Sequence, residues 1–335
     1  MRIHFVGRDL EHRWPDLDWL NAADVDQVAG RFAGGIDSWI LQTYLRLAAP
    51  LAAAGFETSV SERLEPGAIN IAHRDTLAPL GLGCRDYYIV AVRAERAPVR
   101  VARWTIVPNM SSEAGRLAKY LPSWPQPGLV ARDRARGSRI RRIGCVGAGP
   151  AWTADSSFRE ALARRGIDLV EAAFDFSTID LVLACRSDTP TLLRTRSAAR
   201  LVNAWHAGTP ALLGAEPAFH DLRYSALDFI AVRGAGEALG AIDFLRDNPG
   251  VYQAMVGNGA LRAHTFSAAA VTDRWIAFLH DQVAPDAHSR LRTRPPGMLR
   301  RLGSLTALAR QNLEARVFEL RIALERLPVR LGEVR

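Results

Sequence analysis

The chain reads as an α/β protein built from two parallel-sheet units, and three observations lead there. Short apolar runs alternate with stretches whose apolar residues recur every three or four positions, the pattern of parallel strands joined by crossover helices. The composition breaks once, between Leu121 and Arg142, where Pro122, Pro125, Pro127 and Gly128 lead into Arg132, Arg134, Arg136, Arg139, Arg141 and Arg142. The length, 335 residues, is enough for two domains of ordinary size, each with its own core. These place a first domain over 1–125, a linker over 126–142, a second domain over 143–284, and a separate amphipathic helix over 298–328.

In the first unit, a strand over 2–6 closes on Gly7, Arg8 and Asp9. A polar loop leads to Phe32-Ala33-Gly34-Gly35-Ile36, and a helix is expected over 39–54, with Ile40, Leu41, Tyr44, Leu45 and Leu47 largely on one side. Gly55 separates it from a strand over 56–60, and further strands are expected over 68–72, 87–92 and 104–107. Ligands of such sheets gather at the carboxyl ends of the strands, which singles out Gly7 to Asp9, His73 to Asp75, and Arg93.

The second unit repeats the pattern, with strands over 143–146, 168–172 and 180–184 and a helix over 155–165. After a helix ending at Gly208 come a strand over 211–213, a short helix over 219–224, a strand over 229–232, and helices over 236–246, 251–262 and 268–283. In the tail, Leu302, Leu305, Ala309, Leu313, Val317, Leu320, Leu324 and Leu327 recur at spacings of three and four. This stripe predicts a helix docked on its own protein or paired with another copy as a homodimer. A second reading, peripheral contact with an anionic membrane surface, comes from Arg300, Arg301, Arg310 and Arg316, and Glu314, Glu319 and Glu325 count against it.

Composition narrows the function. The apolar share of 48% and charged share of 23% are those of a soluble globular protein. The amino terminus lacks the apolar core of a signal peptide, and no stretch approaches the ~20 apolar residues that span a bilayer, so a cytoplasmic protein is expected. Cys84, Cys145 and Cys185 are scattered and lack metal-ligand spacing, so they read as reduced core thiols, and no metal site is expected. The formal charge of +8 rests on arginine, with Lys119 the only lysine. No basic stripe is interleaved with aromatic residues, so no nucleic-acid partner is expected.

The most informative segment is the helix that begins near Ser197. Arg196 and Arg200 flank that start within one turn. Helix starts leave backbone N–H groups unpaired and carry the positive end of the peptide dipole, so a phosphate or diphosphate is the expected guest. The helix continues through Leu201, Asn203, Ala204, Trp205, Ala207, Gly208 and Pro210 into an apolar strand and Gly214-Ala215-Glu216-Pro217. This arrangement resembles the nucleotide-sugar-binding segment of GT-B glycosyltransferases of the broad family-4 type. The loop at Gly34 and Gly35 is similar to the Gly-Gly loop that opens the first helix of such enzymes.

The resemblance implies two Rossmann-like domains facing across a cleft and a sugar donor activated by a nucleoside diphosphate, with no separate cofactor. The acceptor it implies is a hydroxyl of a glycan, a lipid-linked sugar or a small molecule. The implied donor-binding residues are Gly34, Gly35, Arg186, Ser187, Arg196, Ser197, Arg200 and Asn203. Where relatives carry one glutamate before this helix and another within it, the chain has Thr195 and Asn203. Asn203 still pairs with a ribose hydroxyl as donor or acceptor.

Glycosyl transfer builds negative charge on the departing diphosphate, and arginines with helix N–H groups are suited to stabilise it. His73 is the candidate base, or hydrogen-bond partner of the sugar, with Asp75 placed to orient its ring and Asp9 as a fallback base. His206 reads as a half-buried polar group, and Trp14, Trp19 and Trp39 as either an acceptor platform or core. Two other functions stay open. Gly147-Ala148-Gly149 after a strand is half of a dinucleotide fingerprint, which would make the chain an NAD-dependent oxidoreductase. The substitutions at 195 and 203 also suit a GT-B-shaped binding protein without catalysis.

Overall fold

The computed structural model describes residues 1–33, 35–78, 84, 86–113, 117–147, 149–172, 174–292 and 297–327. Among them are two sheets, and every strand pair in each is parallel. The first contains β1 (Arg2–Val6), β2 (Glu57–Ser61), β3 (Ile69–His73), β4 (Tyr88–Val92), β5 (Trp104–Val107) and β6 (Ala118–Tyr120), in the order β2-β1-β3-β4-β5-β6. The second contains β7 (Arg142–Val146), β8 (Asp168–Ala172), β9 (Leu181–Ala184), β10 (Ala211–Leu213) and β11 (Ile230–Ala231), in the order β11-β10-β9-β7-β8. Central strands such as β3 and β9 are buried along their whole length, as expected of strands covered on both faces.

Most expected elements stand within a residue or two of their predicted bounds. The helix expected over 39–54 opens as a π-helical turn, Asp37–Leu41, before the α-helix Gln42–Ala53. Asp155 caps its helix, accepting from the Ser157 N–H at 2.9 Å, so that the helix is Ser156–Ala163. Strand β6 had no counterpart in the sequence reading, because Ala-Lys-Tyr alternates too weakly to mark a strand.

Two segments sit elsewhere than their sequence suggested. The helix Ala268–Phe278, expected in the second domain, buries Val271, Trp275 and Phe278 among Ile3, Phe5, Leu47 and Ile71 of the first sheet's core. Trp275 and the following Val283 reach that core because the chain crosses back from the second lobe, so the boundary at 284 does not mark a change of lobe. Asp286 fixes this return, accepting from the Tyr88 hydroxyl at 2.5 Å and from Arg103 Nε at 2.8 Å. The stretch 126–142 is docked rather than loose. Arg132 and Arg136 converge on Asp180, whose carboxylate is fully buried, at 2.9 and 2.7 Å.

The long helix Gly297–Arg326 bridges the lobes. Gln311 accepts from the Arg100 N–H at 2.8 Å and Glu314 from Arg100 Nε at 2.7 Å, while Glu325 accepts from the Thr191 N–H and hydroxyl at 2.9 and 2.7 Å. Residue 328, the expected end of this helix, lies outside the described residues. Among the described residues no helix is long and apolar enough to cross a membrane.

Candidate active site

The carboxyl end of the first sheet and the signature helix of the second lobe meet at a cavity of about 330 Å³ between the lobes. The first lobe contributes Gly35, Trp39, Gln42, His73, Glu95 and Trp124, and the second contributes Ser197, Ala199 and Asn203. That volume lies in the range of small-molecule sites. Gly34 of the paired glycines lies outside the described residues, and Gly35 leaves open space where a Cβ would stand.

The signature helix spans Ala199–Ala207, two residues later than expected, with Ala198 rather than Ser197 at its cap position. It stops where the sequence says it should. Gly208 has φ +67°, a left-handed conformation that only glycine adopts without strain. The Ser197 N–H points instead at a carboxylate from the other lobe, donating to Glu95 Oε1 at 3.2 Å. The same carboxylate pairs closely with Arg196 and lies 3.8 Å from Arg186 Nη1. Arg196 also bonds Asp188 at 2.7 Å, so both edges of its guanidinium are engaged within the protein.

Arg200 is placed differently. It lies against the β7 loop, where a Cβ on Gly147 would fall 2.4 Å from its Nη2, and Gly147 has φ +71°. Its Nη1 is buried without a hydrogen-bond partner. Burial, reinforced by the neighbouring Arg186, pushes the guanidinium down to about 10. Arg186 is likewise held below its ordinary value by burial. Ser187 is exposed, and Arg186, Ser187, Arg196 and Arg200 all lie outside the residues that line the cavity.

The carboxylate between these two arginines is Glu216, which sequence reasoning quoted in Gly-Ala-Glu-Pro but gave no role. It is 1% exposed, stands 3.6 Å from Arg186 Nε, and neither oxygen has a hydrogen-bond partner. Burial raises its pKa against the pull of Arg186 and Arg200. Its signal was positional, an acidic residue directly beyond the end of β10. Glu95 has the same kind of signal, since it follows β4 by three residues, next to Ala94 at φ +50°. A non-glycine residue held there is strained by about 1–3 kcal/mol, a cost often found beside functional sites.

His73 ends β3 on the cavity wall. Its Nδ1 accepts the Asp75 backbone N–H at 3.1 Å, so the neutral ring carries its proton on Nε2. The Asp75 carboxylate does not orient the ring as expected. It stands 3.8 Å from Nδ1 and is taken by Arg96 at 2.9 Å. Asp9 is exposed and absent from the cavity lining, so the fallback base is misplaced. Asn203 lines the cavity, its Oδ1 accepting from the Gln126 N–H at 3.1 Å. Of the three tryptophans, Trp14 is core, Trp19 is solvent-exposed and Trp39 lines the cavity. His206 is half-buried and bonds the Phe266 carbonyl at 3.2 Å.

The dinucleotide fingerprint is not supported by its surroundings. Beyond Gly149 the helix is four residues long, Ala151–Ala154, and breaks at Asp155, where a dinucleotide fold needs a long helix. The guanidinium of Arg200 already occupies the approach to Gly147. Ala148 lies outside the described residues. Among the described residues no group of three or more histidine, cysteine, aspartate or glutamate side chains is placed to hold a metal ion.

Two parallel sheets facing across a cleft, with a signature helix opening on it, can be set beside known proteins. HepE of Anabaena in complex with UDP-glucose superposes with a TM-score of 0.54 at 12% identity, over 84% of this chain and all of that one. The sucrose-phosphate synthase of Thermosynechococcus elongatus gives 0.53 at 12%, over 85% of this chain and all of that one. The chain has the GT-B fold. No family model matches its sequence, and no curated protein does. In this GT-B chain the start of the signature helix and the ends of β3 and β4 are what a ligand in the cleft would meet.

Proposed function

We propose that this protein is a glycosyltransferase that moves a sugar from a nucleoside-diphosphate donor to a hydroxyl acceptor in the interlobe cavity. One observation carries the reading. The tip of the signature helix and Asn203 share a cavity with Gly35, Trp39 and His73 of the other lobe, so a donor at the tip brings its sugar to the first lobe. In this reading Arg200, which has an unpartnered buried guanidinium nitrogen, and Arg186 carry the counter-charge for the leaving diphosphate, rather than a metal ion. Glu216 keeps these two like charges together. Asn203 keeps its Nδ2 to donate to a ribose hydroxyl.

The anomeric carbon exchanges its bond to the diphosphate for a bond to the acceptor oxygen, and the acceptor's proton passes to the departing diphosphate oxygen. His73 serves as a hydrogen-bond donor to the sugar rather than as the base. Its Nε2 already carries the ring proton and its Nδ1 is held by the Asp75 N–H, so taking up a second proton would break that bond and form an imidazolium, which burial disfavours. The acceptor, whether glycan, lipid-linked sugar or small molecule, is met at Trp39 and Trp124.

Calorimetric titration with UDP, GDP, ADP, their sugars and NAD tests the reading. The HepE structures hold UDP-glucose, UDP and glucose, so the uridine donor is the first to try. Binding of a nucleoside diphosphate, followed by transfer to an acceptor, is the expected result. Binding of NAD alone overturns it, and nucleotide-sugar binding without hydrolysis or transfer makes the chain a non-catalytic binding protein.

A further inference from the structure

Arg93 follows the end of β4, where ligands of such sheets gather, yet it is not part of the interlobe cavity. It lines a second cavity instead, of about 470 Å³. Three separate stretches each bring an arginine to that cavity: Arg93 from the first lobe, Arg194 from the second, and Arg321 from the long helix Gly297–Arg326. Between them the wall is apolar at Pro217 and Phe318.

Counter-charge is what this cavity lacks. Nearby arginines are engaged by carboxylates, Arg96 by Asp75, Arg100 by Glu314, and Arg196 by Glu95 and Asp188. Among the described residues, Arg93, Arg194 and Arg321 form no ion pair, and no acidic side chain lines the cavity. The carboxylates at its rim are already occupied. Asp221 accepts from the Ser111 N–H and hydroxyl, and Glu325 accepts from the Thr191 N–H and hydroxyl while drawing on Arg194 at longer range. Arg93 is the most confined of the three arginines. Its Nε donates to the Arg96 carbonyl at 2.7 Å, while its two Nη groups have no hydrogen-bond partner among the described residues. Burial and the neighbouring Arg100 hold its guanidinium below the ordinary value.

Three like charges brought to one cavity repel, and a bound anion removes that cost. Guanidinium forks pair bidentately with phosphate oxygens, and a doubly charged phosphate offsets more of the charge than a carboxylate does. The cavity is larger than a phosphate ion, which leaves Pro217 and Phe318 for an organic remainder. We propose that this cavity binds the phosphate group of a small phosphorylated molecule, at a site apart from that of the sugar donor. Such a ligand touches both lobes and the long helix at once. Arg93 stands two residues before Glu95, which ties the lobes at the signature helix, so occupancy holds that tie in place.

The test is amide hydrogen exchange of the full chain, titrated with inorganic phosphate in chloride buffer of fixed ionic strength, with acetate as the comparison anion. In the wild type, phosphate is expected to slow exchange over 190–195 and 316–324, and acetate is not. Arg194→Gln/Arg321→Gln, which alters two exposed side chains, is expected to need at least about tenfold more phosphate for half-maximal protection there. Arg186→Gln/Arg200→Gln, which alters the proposed partners of the diphosphate, is expected to keep the wild-type response. Absence of protection in the wild type, equal protection by acetate, or an unchanged midpoint in Arg194→Gln/Arg321→Gln overturns the proposal. So does protection confined to the signature helix, which would put the phosphate at the donor site. No arm uses a nucleotide or a sugar donor, so failure here is distinct from failure of the proposed transfer.

Discussion

The backbone N–H of Ser197 donates to the carboxylate of Glu95 at 3.2 Å across 102 residues of sequence, and this bond ties the two lobes at the tip of the signature helix. A carboxylate from the first lobe thus stands where the proposed diphosphate would arrive. Glu95→Gln removes a charge that repels the donor and competes for Arg196. The variant is expected to bind UDP about tenfold tighter, ~1.4 kcal/mol, in calorimetric titration. Weaker binding would show that Glu95 holds Arg196 and Arg186 in their working positions instead.

Arg200 and Arg186 have the strongest claim among the arginines beside the helix tip, because each keeps a buried guanidinium nitrogen without a hydrogen-bond partner. Arg200→Ala should weaken UDP binding by roughly 1.5–3 kcal/mol, the worth of a charged hydrogen bond. Arg200→Lys should recover little, since a point charge does not reproduce the planar fork. An unchanged dissociation constant in both variants removes Arg200 from the donor site.

His73 makes stability depend on pH. Burial, aided by Arg96 and Arg74, pushes its imidazole down to about 4 from an ordinary 6.5. The fold therefore favours the neutral ring. That contribution is complete above about 6.5 and is lost as pH falls through about 4, reaching roughly 3 kcal/mol. Urea melts of the wild type should weaken across this window more than those of His73→Gln. Parallel losses in the two proteins would contradict the assignment.

Asp180 separates stability from binding. Burial alone would raise its pKa, but bonds from Arg136, from the Arg141 and Arg142 N–H groups and from Arg132 hold it below the usual range. Asp180→Ala leaves two guanidinium groups without their buried partner and is expected to cost about 3–5 kcal/mol in urea melts. Nucleotide affinity of the folded fraction should not change, and a selective loss of affinity would place Asp180 in the site.

The sheets, the Gly208 stop and the cleft position of the helix tip were legible because period, glycine and strand ends are local signals. Glu95 and Glu216 were not, since their roles depend on burial and on partners brought together by the fold. The same holds for Asp75, whose backbone rather than its side chain meets His73. Arg196 looked like a free donor in sequence because Glu95 and Asp188 are not its neighbours on one helical face.

The return of the chain onto the first sheet bears on how the molecule is made. Val271, Trp275, Phe278 and Val283 complete a core begun by Ile3 and Phe5, so the half that leaves the ribosome first is finished last. Until the second half has been synthesised, that early half must wait with part of its interior open to water and to other chains. Contacts this distant in sequence slow assembly, so a truncation before residue 268 should yield an aggregating product rather than a folded half.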